Sequence, residues 1–308
     1  MPLVLVSSPR FVDHVTPAGH PERPERAETM EAVAARFAGQ GGTVLEPRLA
    51  ADEDLARVHT AEHIESIVTL RGRAAKIDED TFTSPDSDEI ARLAAGAVLT
   101  GVDAVLGGAA RSRALVMVRP PGHHAEADRA MGFCLYNNIA VGAAYARAKG
   151  CARVAICDYD VHHGNGTQWI FYEDPAVLFV SSHQFPFYPG TGAPHQTGRA
   201  AGAGYTLNIP LAAGTKDQEI ERLYAEVAIP RVRAFKPDLL MISAGFDAHE
   251  QDPLGHLHMT AEGFGHLTRA LLQVADEVCD GKVVLVTEGG YDLKALSDCL
   301  QKVIEVCG

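Results

Sequence analysis

Asp160 and His162 stand two residues apart, just past the short apolar run Arg153-Val154-Ala155-Ile156-Cys157. On the extended end of a strand, residues i and i+2 point to the same side. A carboxylate and an imidazole at that offset can share one cation. Asp158 lies on the same side one step earlier, where it can brace such a site from behind. Asp247, in Ala244-Gly245-Phe246-Asp247, adds a second carboxylate, and Gly245 leaves room for a close approach. Asp160, His162 and Asp247 together form an O, N, O set. Three protein ligands with an open position is the pattern of a catalytic Zn2+ site. Two oxygen ligands also suit Fe2+, so ligand type alone leaves the metal open. The competing reading is a polar loop in which Asp or Asn merely caps a helix.

Two further clusters carry proton-transfer chemistry. His123 and His124 follow Pro120-Pro121-Gly122, a rigid turn that presents side chains. A histidine can take a proton from water near neutral pH and return it to a leaving amine. Adjacent histidines need partners that fix tautomer and charge, and Asp158 and Asn165 are available. Tyr291 follows Gly289-Gly290, and its phenol can donate to a developing oxyanion. The plainer readings are a pair of surface histidines and a core tyrosine.

Elements that can bring these clusters together are legible in the apolar pattern. Strands are expected at 3–6, 43–46, 114–118, 153–157, 177–181, 205–209, 238–243 and 282–287. Helices are expected over 24–38, in short pieces within 52–70, and over 88–106, 139–149, 166–172, 217–235, 260–278 and 293–306, with Asp52 and Thr260 as caps. Residues 77–87 read as a polar surface loop. Continuous apolar strands separated by helices mean a parallel sheet covered on both faces. The expectation is an α/β fold, one open and mostly parallel eight-stranded sheet, in a single domain over residues 1–308. A closed eight-stranded barrel is the alternative. Ligands of open parallel sheets bind beyond the carboxyl ends of the strands. The His-His, Asp-x-Asp-x-His, Gly-Phe-Asp and Gly-Gly-Tyr clusters each follow such an end, so they are expected to form one site.

Composition narrows the function classes. The chain has 308 residues, is 46% hydrophobic and carries a net charge of −13. That length and apolar content suffice for a full core. The negative charge argues against direct nucleic-acid binding, which needs a basic footprint. The six cysteines form no C-x-x-C pair and read as reduced core thiols. MPLVLVSSPR has no basic leader pattern, and no stretch reaches the roughly 18 apolar residues of a membrane span. No membrane partner and a reducing cytoplasm are therefore expected, with assembly into oligomers left open.

The motifs GHPERPER (19–26), RPPGHHA (119–125), MGFCLYNN (131–138), DYDVHHGNG (158–166), PGTG (189–192), SAGFDAH (243–249) and EGGY (288–291) occur in this order across nearly the whole chain. In this the chain resembles the histone deacetylase superfamily, of the arginase–deacetylase fold, and within it the class II-like and bacterial amidohydrolase branch. Asn165 stands where class I members carry Asp and class II members Asn. Tyr291 stands where some weakly active members carry His.

The resemblance implies metal-assisted hydrolysis of an acetylated lysine in a protein or peptide, or of a small acetylated amine. It implies one Zn2+ held by Asp160, His162 and Asp247. His124 would be the general base and acid, His123 its electrostatic partner, with Asp158 supporting His123 and Asn165 supporting His124. Tyr291 would polarise the amide carbonyl. Gly132, Phe133 and Tyr188 would line the acyl-lysine tunnel, with Phe187 adjacent to the last. Arg26 would be a structural arginine beneath the site, and Asp80 would accept hydrogen bonds from the substrate backbone. K+ or Na+ is implied near Asp158, Ser181 and Ser182, and a second near Phe171, Asp174, Val177 and Tyr205. Polyamine-specific relatives carry an acidic residue at the position of Leu254, so leucine there fits lysine-like substrates better. The alternatives are an acetylpolyamine amidohydrolase, a catalytically weak acyl-lysine-binding protein, and a dinuclear-manganese relative of arginase.

Overall fold

A computed structural model describes residues 3–308. In chain order its strands are β1 (Leu3–Val6), β2 (Thr43–Leu45), β3 (Ala75–Lys76), β4 (Phe82–Thr83), β5 (Arg113–Val116), β6 (Val154–Asp158), β7 (Val177–Gln184), β8 (Thr206–Leu211), β9 (Leu239–Ala244) and β10 (Val283–Thr287). Its α-helices are α1 (Pro24–Gly39), α2 (Asp52–Leu55), α3 (Ala61–Val68), α4 (Ser87–Leu106), α5 (Asn138–Ala148), α6 (Asn165–Ile170), α7 (Asp217–Leu223), α8 (Ile229–Phe235), α9 (Ala261–Val278) and α10 (Leu293–Cys307). Eight strands form one sheet in the order β2-β1-β5-β10-β9-β6-β7-β8, every adjacent pair parallel. The sheet is open, as the sequence predicts, and not a closed barrel.

The strands are apolar on both sides because both faces are covered. Leu3, Leu5, Leu115, Leu240, Ile242 and Leu285 pack into one buried cluster with residues of α1, α9 and α10. Their alternating neighbours Val4, Val6, Val116, Met241 and Val286 pack into a second cluster with α4 and α5. The split follows the two-residue period of a strand. Gly101 lets α4 press onto the sheet, since a Cβ there would lie 2.7 Å from Val116 Cγ2. Truncating a side chain as buried as Leu285 to alanine costs about 2–5 kcal/mol.

The topology gathers the site. The four polar clusters follow β5, β10, β9 and β6, and these are consecutive in the sheet. Parallel pairing puts all four carboxyl ends on one rim, and register sets Asp158 beside Ser181 and Ser243.

Three local expectations are corrected. Residues 217–235 are not one regular helix, because a π turn at Tyr224–Ala228 separates α7 from α8. Pro230 has no N–H to give to the preceding turn, and a widened turn accommodates that loss. Within 77–87, Phe82 and Thr83 pair with β3 to close a hairpin, where Asp78 Oδ1 accepts the N–H groups of Asp80 (3.1 Å) and Thr81 (2.7 Å). The cap of α2 is Ala51, not Asp52, and Asp54 Oδ2 accepts the Ala51 N–H at 3.2 Å. Thr260 does cap α9, accepting from Gly263 N–H at 3.2 Å.

Candidate active site and metal centre

Past the end of β6 the strand gives way to bends at Asp160–His162. Tyr159 and Val161 go into the apolar core, while Asp158, Asp160 and His162 turn to the other side. His162 Nδ1 lies 3.2 Å from Asp160 Oδ1 and 3.1 Å from Asp247 Oδ2. The ligating atoms of Asp160, His162 and Asp247 all lie within 4.8 Å of one another, the one such His/Cys/Asp/Glu group among the described residues. Backbone donors aim the carboxylates: Gly289 N–H reaches Asp160 Oδ2 (2.8 Å) and Val161 N–H reaches Asp247 Oδ1 (2.9 Å). Two glycines leave them space. A Cβ at Gly245 would sit 2.0 Å from Asp160 Oδ2, and one at Gly289 would sit 2.0 Å from Asp247 Oδ2.

The three groups of this trio shift one another strongly. Burial, then the neighbouring Asp160 charge, pushes Asp247 up to about 7. His162 rises to about 10, because its two carboxylates outweigh the burial that would lower it. Two buried carboxylates and one imidazole are a donor set that could hold a metal ion.

The histidine pair is asymmetric. His123 Nδ1 lies 3.0 Å from Asp158 Oδ2, and its N–H meets Glu288 Oε2 at 3.1 Å. Burial alone would lower His123, yet Asp158, Asp160 and Glu288 hold it well above its ordinary value. His124 goes the other way: burial, then the charges of His123 and His162, hold it well below. His124 Nδ1 is 2.7 Å from Asn165 Oδ1. The Asn165 amide nitrogen is committed as donor to Glu126 Oε1 (2.8 Å). Asn165 therefore accepts the Nδ1–H of His124, which leaves Nε2 as the lone-pair nitrogen. The two adjacent imidazoles are thus shifted in opposite directions, His123 towards the charged form and His124 towards the neutral one.

Tyr291 is buried over Arg26, whose guanidinium carbon lies 5.0 Å from the ring centroid. Arg26 donates to the carbonyls of Gly290 (2.7 Å) and Glu288 (2.6 Å) and pairs with Glu22 (3.0 Å), which also pairs with Arg119 (2.5 Å). Burial and the Asp247 charge raise Tyr291 well above the usual phenol range, so the hydroxyl keeps its proton.

A cavity of about 240 Å³ opens onto these groups, lined by Asp80, His124, Gly132, Phe133, His162, Phe187, Tyr188, Leu254 and Tyr291. Phe187 stacks on His162 with centroids 5.4 Å apart, and Tyr188 stands edge-on to His124 at 5.3 Å. Phe187 and Tyr188 both line the cavity with Phe133, and Tyr188 is 37% exposed. Gly132 has φ +57, and a Cβ there would lie 2.5 Å from His124 Cδ2, so glycine is what lets the wall approach the base.

Among the residues expected near monovalent cations, Ser181 Oγ bonds His183 Nδ1 (3.0 Å) and Ser182 Oγ bonds Tyr224 Oη (2.9 Å). Phe171, Asp174, Val177 and Tyr205 gather at the amino end of β7. There the carbonyls of Phe171, Asp174 and Tyr205 accept from Asp174, Val177 and Phe179. The Asp174 carboxylate pairs with Arg147. All six cysteines are free and buried. Among the described residues no helix is long and apolar enough to cross a membrane.

Two buried carboxylates were given no role by the motifs, although Glu288 heads EGGY (288–291). Glu288 is fully buried and accepts from Gly122 N–H (2.7 Å), His123 N–H (3.1 Å) and Ser243 Oγ (3.1 Å). Burial pushes it up to about 7. Asp252 accepts the Tyr291 N–H at 2.6 Å. For Glu288 the signal was its place in EGGY, and for Asp252 only an acidic residue before Pro253.

The model of the histone deacetylase domain matches residues 20–307. A probable deacetylase of Archaeoglobus fulgidus is 41% identical over 293 residues, 94% of this chain and 81% of that protein. Histone deacetylase 15 of Arabidopsis thaliana is 40% identical over 93% of this chain but 52% of its own length, so this chain spans about half of it. The crystal structure of the HDA15 HD domain superposes with a TM-score of 0.92 at 38% identity, covering 99% of this chain and 88% of that one. The domain match, the identities and the superposition agree, and the chain belongs to the histone deacetylase superfamily, with its arginase–deacetylase fold.

Proposed function

We propose that this chain is a zinc-dependent deacetylase that hydrolyses the amide of acetyl-lysine, or of a similar N-acetylated amine, to acetate and free amine. Family membership supports an amidohydrolase acting on acylated amines. The observation that carries the finer reading is the narrow cavity. It is walled by Phe133, Phe187 and Tyr188 and ends on His124, His162 and Tyr291. An extended aliphatic chain fits between such walls, and its amide would meet every reacting group at the floor.

Asp160, His162 and Asp247 would hold one Zn2+, which when bound acts as a Lewis acid towards the amide and lowers the pKa of water. The chain's own residues supply the proton transfers. His124, neutral and with its Nδ1–H given to Asn165, takes a proton from the attacking water at Nε2. It then delivers that proton to the leaving nitrogen. Tyr291 donates its hydroxyl to the carbonyl oxygen as negative charge grows there. His123, kept cationic by Asp158, stabilises that charge through space. Leu254 at the wall favours lysine-like over polycationic substrates. K+ or Na+ near Asp158, Ser181 and Ser182 would brace the strand ends that carry the ligands.

The test is a panel of acetyl-lysine peptides, longer acyl-lysine peptides, acetylpolyamines and small acetylated amides, assayed on one zinc-loaded preparation. Acetate release from acetyl-lysine peptides at the highest kcat/KM supports the reading. A higher kcat/KM on acetylspermidine would replace it with the polyamine alternative. Binding of peptide without turnover of any member would make the chain a reader of acyl-lysine.

A further inference from the structure

We propose that Asp252 is a positioning residue that aims Tyr291 at the reacting carbonyl and ties it to the cavity wall. The inference rests on the role given to Tyr291 above.

Asp252 lies in the loop after β9, buried to 7% exposure. Its Oδ2 accepts two successive backbone N–H groups, Tyr291 at 2.6 Å and Asp292 at 3.2 Å. Its Oδ1 accepts Leu254 N–H at 3.0 Å. One carboxylate thus ties three backbone positions, and two of those residues, Tyr291 and Leu254, line the cavity. The third, Asp292, caps α10 by accepting Ala295 N–H at 2.8 Å.

Tyr291 needs such a tether. It follows two glycines, and Gly290 has φ +123, a conformation that L side chains rarely adopt. Arg26 holds the carbonyls of Glu288 and Gly290 from below. Asp252 holds the amide of Tyr291 from the opposite loop. A carboxylate is the right group, since it is acceptor-only and has lone pairs for three N–H donors. An asparagine of the same shape keeps one oxygen, and its NH2 would face an N–H donor. The floor of the site would then shift, and a displacement of about 1 Å at a reacting group can cost on the order of 100-fold in rate.

The experiment is a double-mutant cycle on the zinc-loaded full chain: wild type, Y291F, D252N and D252N/Y291F. kcat and KM are measured on an acetyl-lysine peptide, with zinc content determined for each protein. If Asp252 acts through Tyr291, D252N lowers kcat tenfold or more in the wild-type background, with KM changed less than threefold. In the Y291F background the same substitution lowers kcat less than threefold, because the donor it aims is gone. Equal fold-losses in both backgrounds would make Asp252 merely structural and overturn the proposal, as would a D252N protein with normal kcat. Full activity of Y291F alone would instead remove the role given to Tyr291, and this inference with it. D252S, which keeps one oxygen in the turn at Leu254, takes the place of D252N in the cycle should D252N be recovered unfolded.

Discussion

Asn165→Asp replaces an amide by a carboxylate of the same shape beside His124, the proposed base. Asn165 Oδ1 accepts the Nδ1–H of His124 at 2.7 Å. A carboxylate there keeps that bond and adds a negative charge about 4 Å from the imidazole centre. At an effective dielectric of about 20, that is worth roughly 4 kcal/mol, or about 3 pKa units. The gain is smaller in practice. The amide nitrogen of Asn165 now donates to Glu126 Oε1 at 2.8 Å, and N165D sets two carboxylates against each other there. About 1–2 units upward is the expected shift for His124, which now lies well below its ordinary value. The assay is the pH dependence of kcat/KM on an acetyl-lysine peptide at saturating zinc. A base must be unprotonated to work, so activity is lost as pH falls through its pKa. N165D should move that acid limb to higher pH by about 1–2 units while zinc content stays the same. An acid limb that stays in place would show that His124 is not the group that titrates, or that Asn165 is not its partner.

Asp160→Ala or Asp247→Ala should abolish both bound zinc and turnover, since each leaves two protein ligands. Retention of one zinc per chain by either variant, measured by elemental analysis, would break the ligand set. His59 is buried and neutral, giving Nδ1–H to Glu126 O (3.0 Å) and accepting Asn137 N–H at Nε2 (2.9 Å), and burial lowers its pKa to about 3. Its folded pKa lies below its unfolded value of about 6.5, so its stabilisation is present above pH 6.5 and lost as pH falls towards 3. Between pH 7 and 5, wild type should lose about 2 kcal/mol more unfolding free energy than H59Q in urea melts, and parallel losses would refute this. Leu254→Glu places a carboxylate at the cavity wall, where the second ammonium of a polyamine can pair with it. The ratio of kcat/KM for acetylspermidine over an acetyl-lysine peptide should rise, up to about tenfold (about 1.4 kcal/mol), and an unchanged ratio would take Leu254 out of substrate choice.

The sheet was readable because its signal is local. Val154 to Cys157 or Val283 to Val286 are apolar at every position, and only a strand covered on both faces explains that. The convergence of Asp160, His162 and Asp247 followed from where those strands end. The π turn at Tyr224–Ala228 was lost to the strong helical pattern around it, although Pro230 marked the place. The hairpin at Phe82 was hidden by two-residue strands too short to alternate. Glu288 heads the EGGY motif, but neither its role nor that of Asp252 could be read from the sequence. Their partners are backbone N–H groups far along the chain, Gly122 for one and Tyr291 for the other, and no residue type advertises a backbone donor. Tyr188 and Phe187 are adjacent, so spacing could not choose between them, and both line the cavity.

The central claim is that one zinc ion at Asp160, His162 and Asp247 makes this chain a deacetylase. Its most direct test is a zinc titration of chelator-stripped protein, with acetate release from an acetyl-lysine peptide followed at each addition. Turnover should be negligible without metal, rise linearly with added Zn2+ and saturate at one ion per chain. Full turnover by the stripped protein would contradict the claim. So would activity that appears only with two Mn2+ per chain.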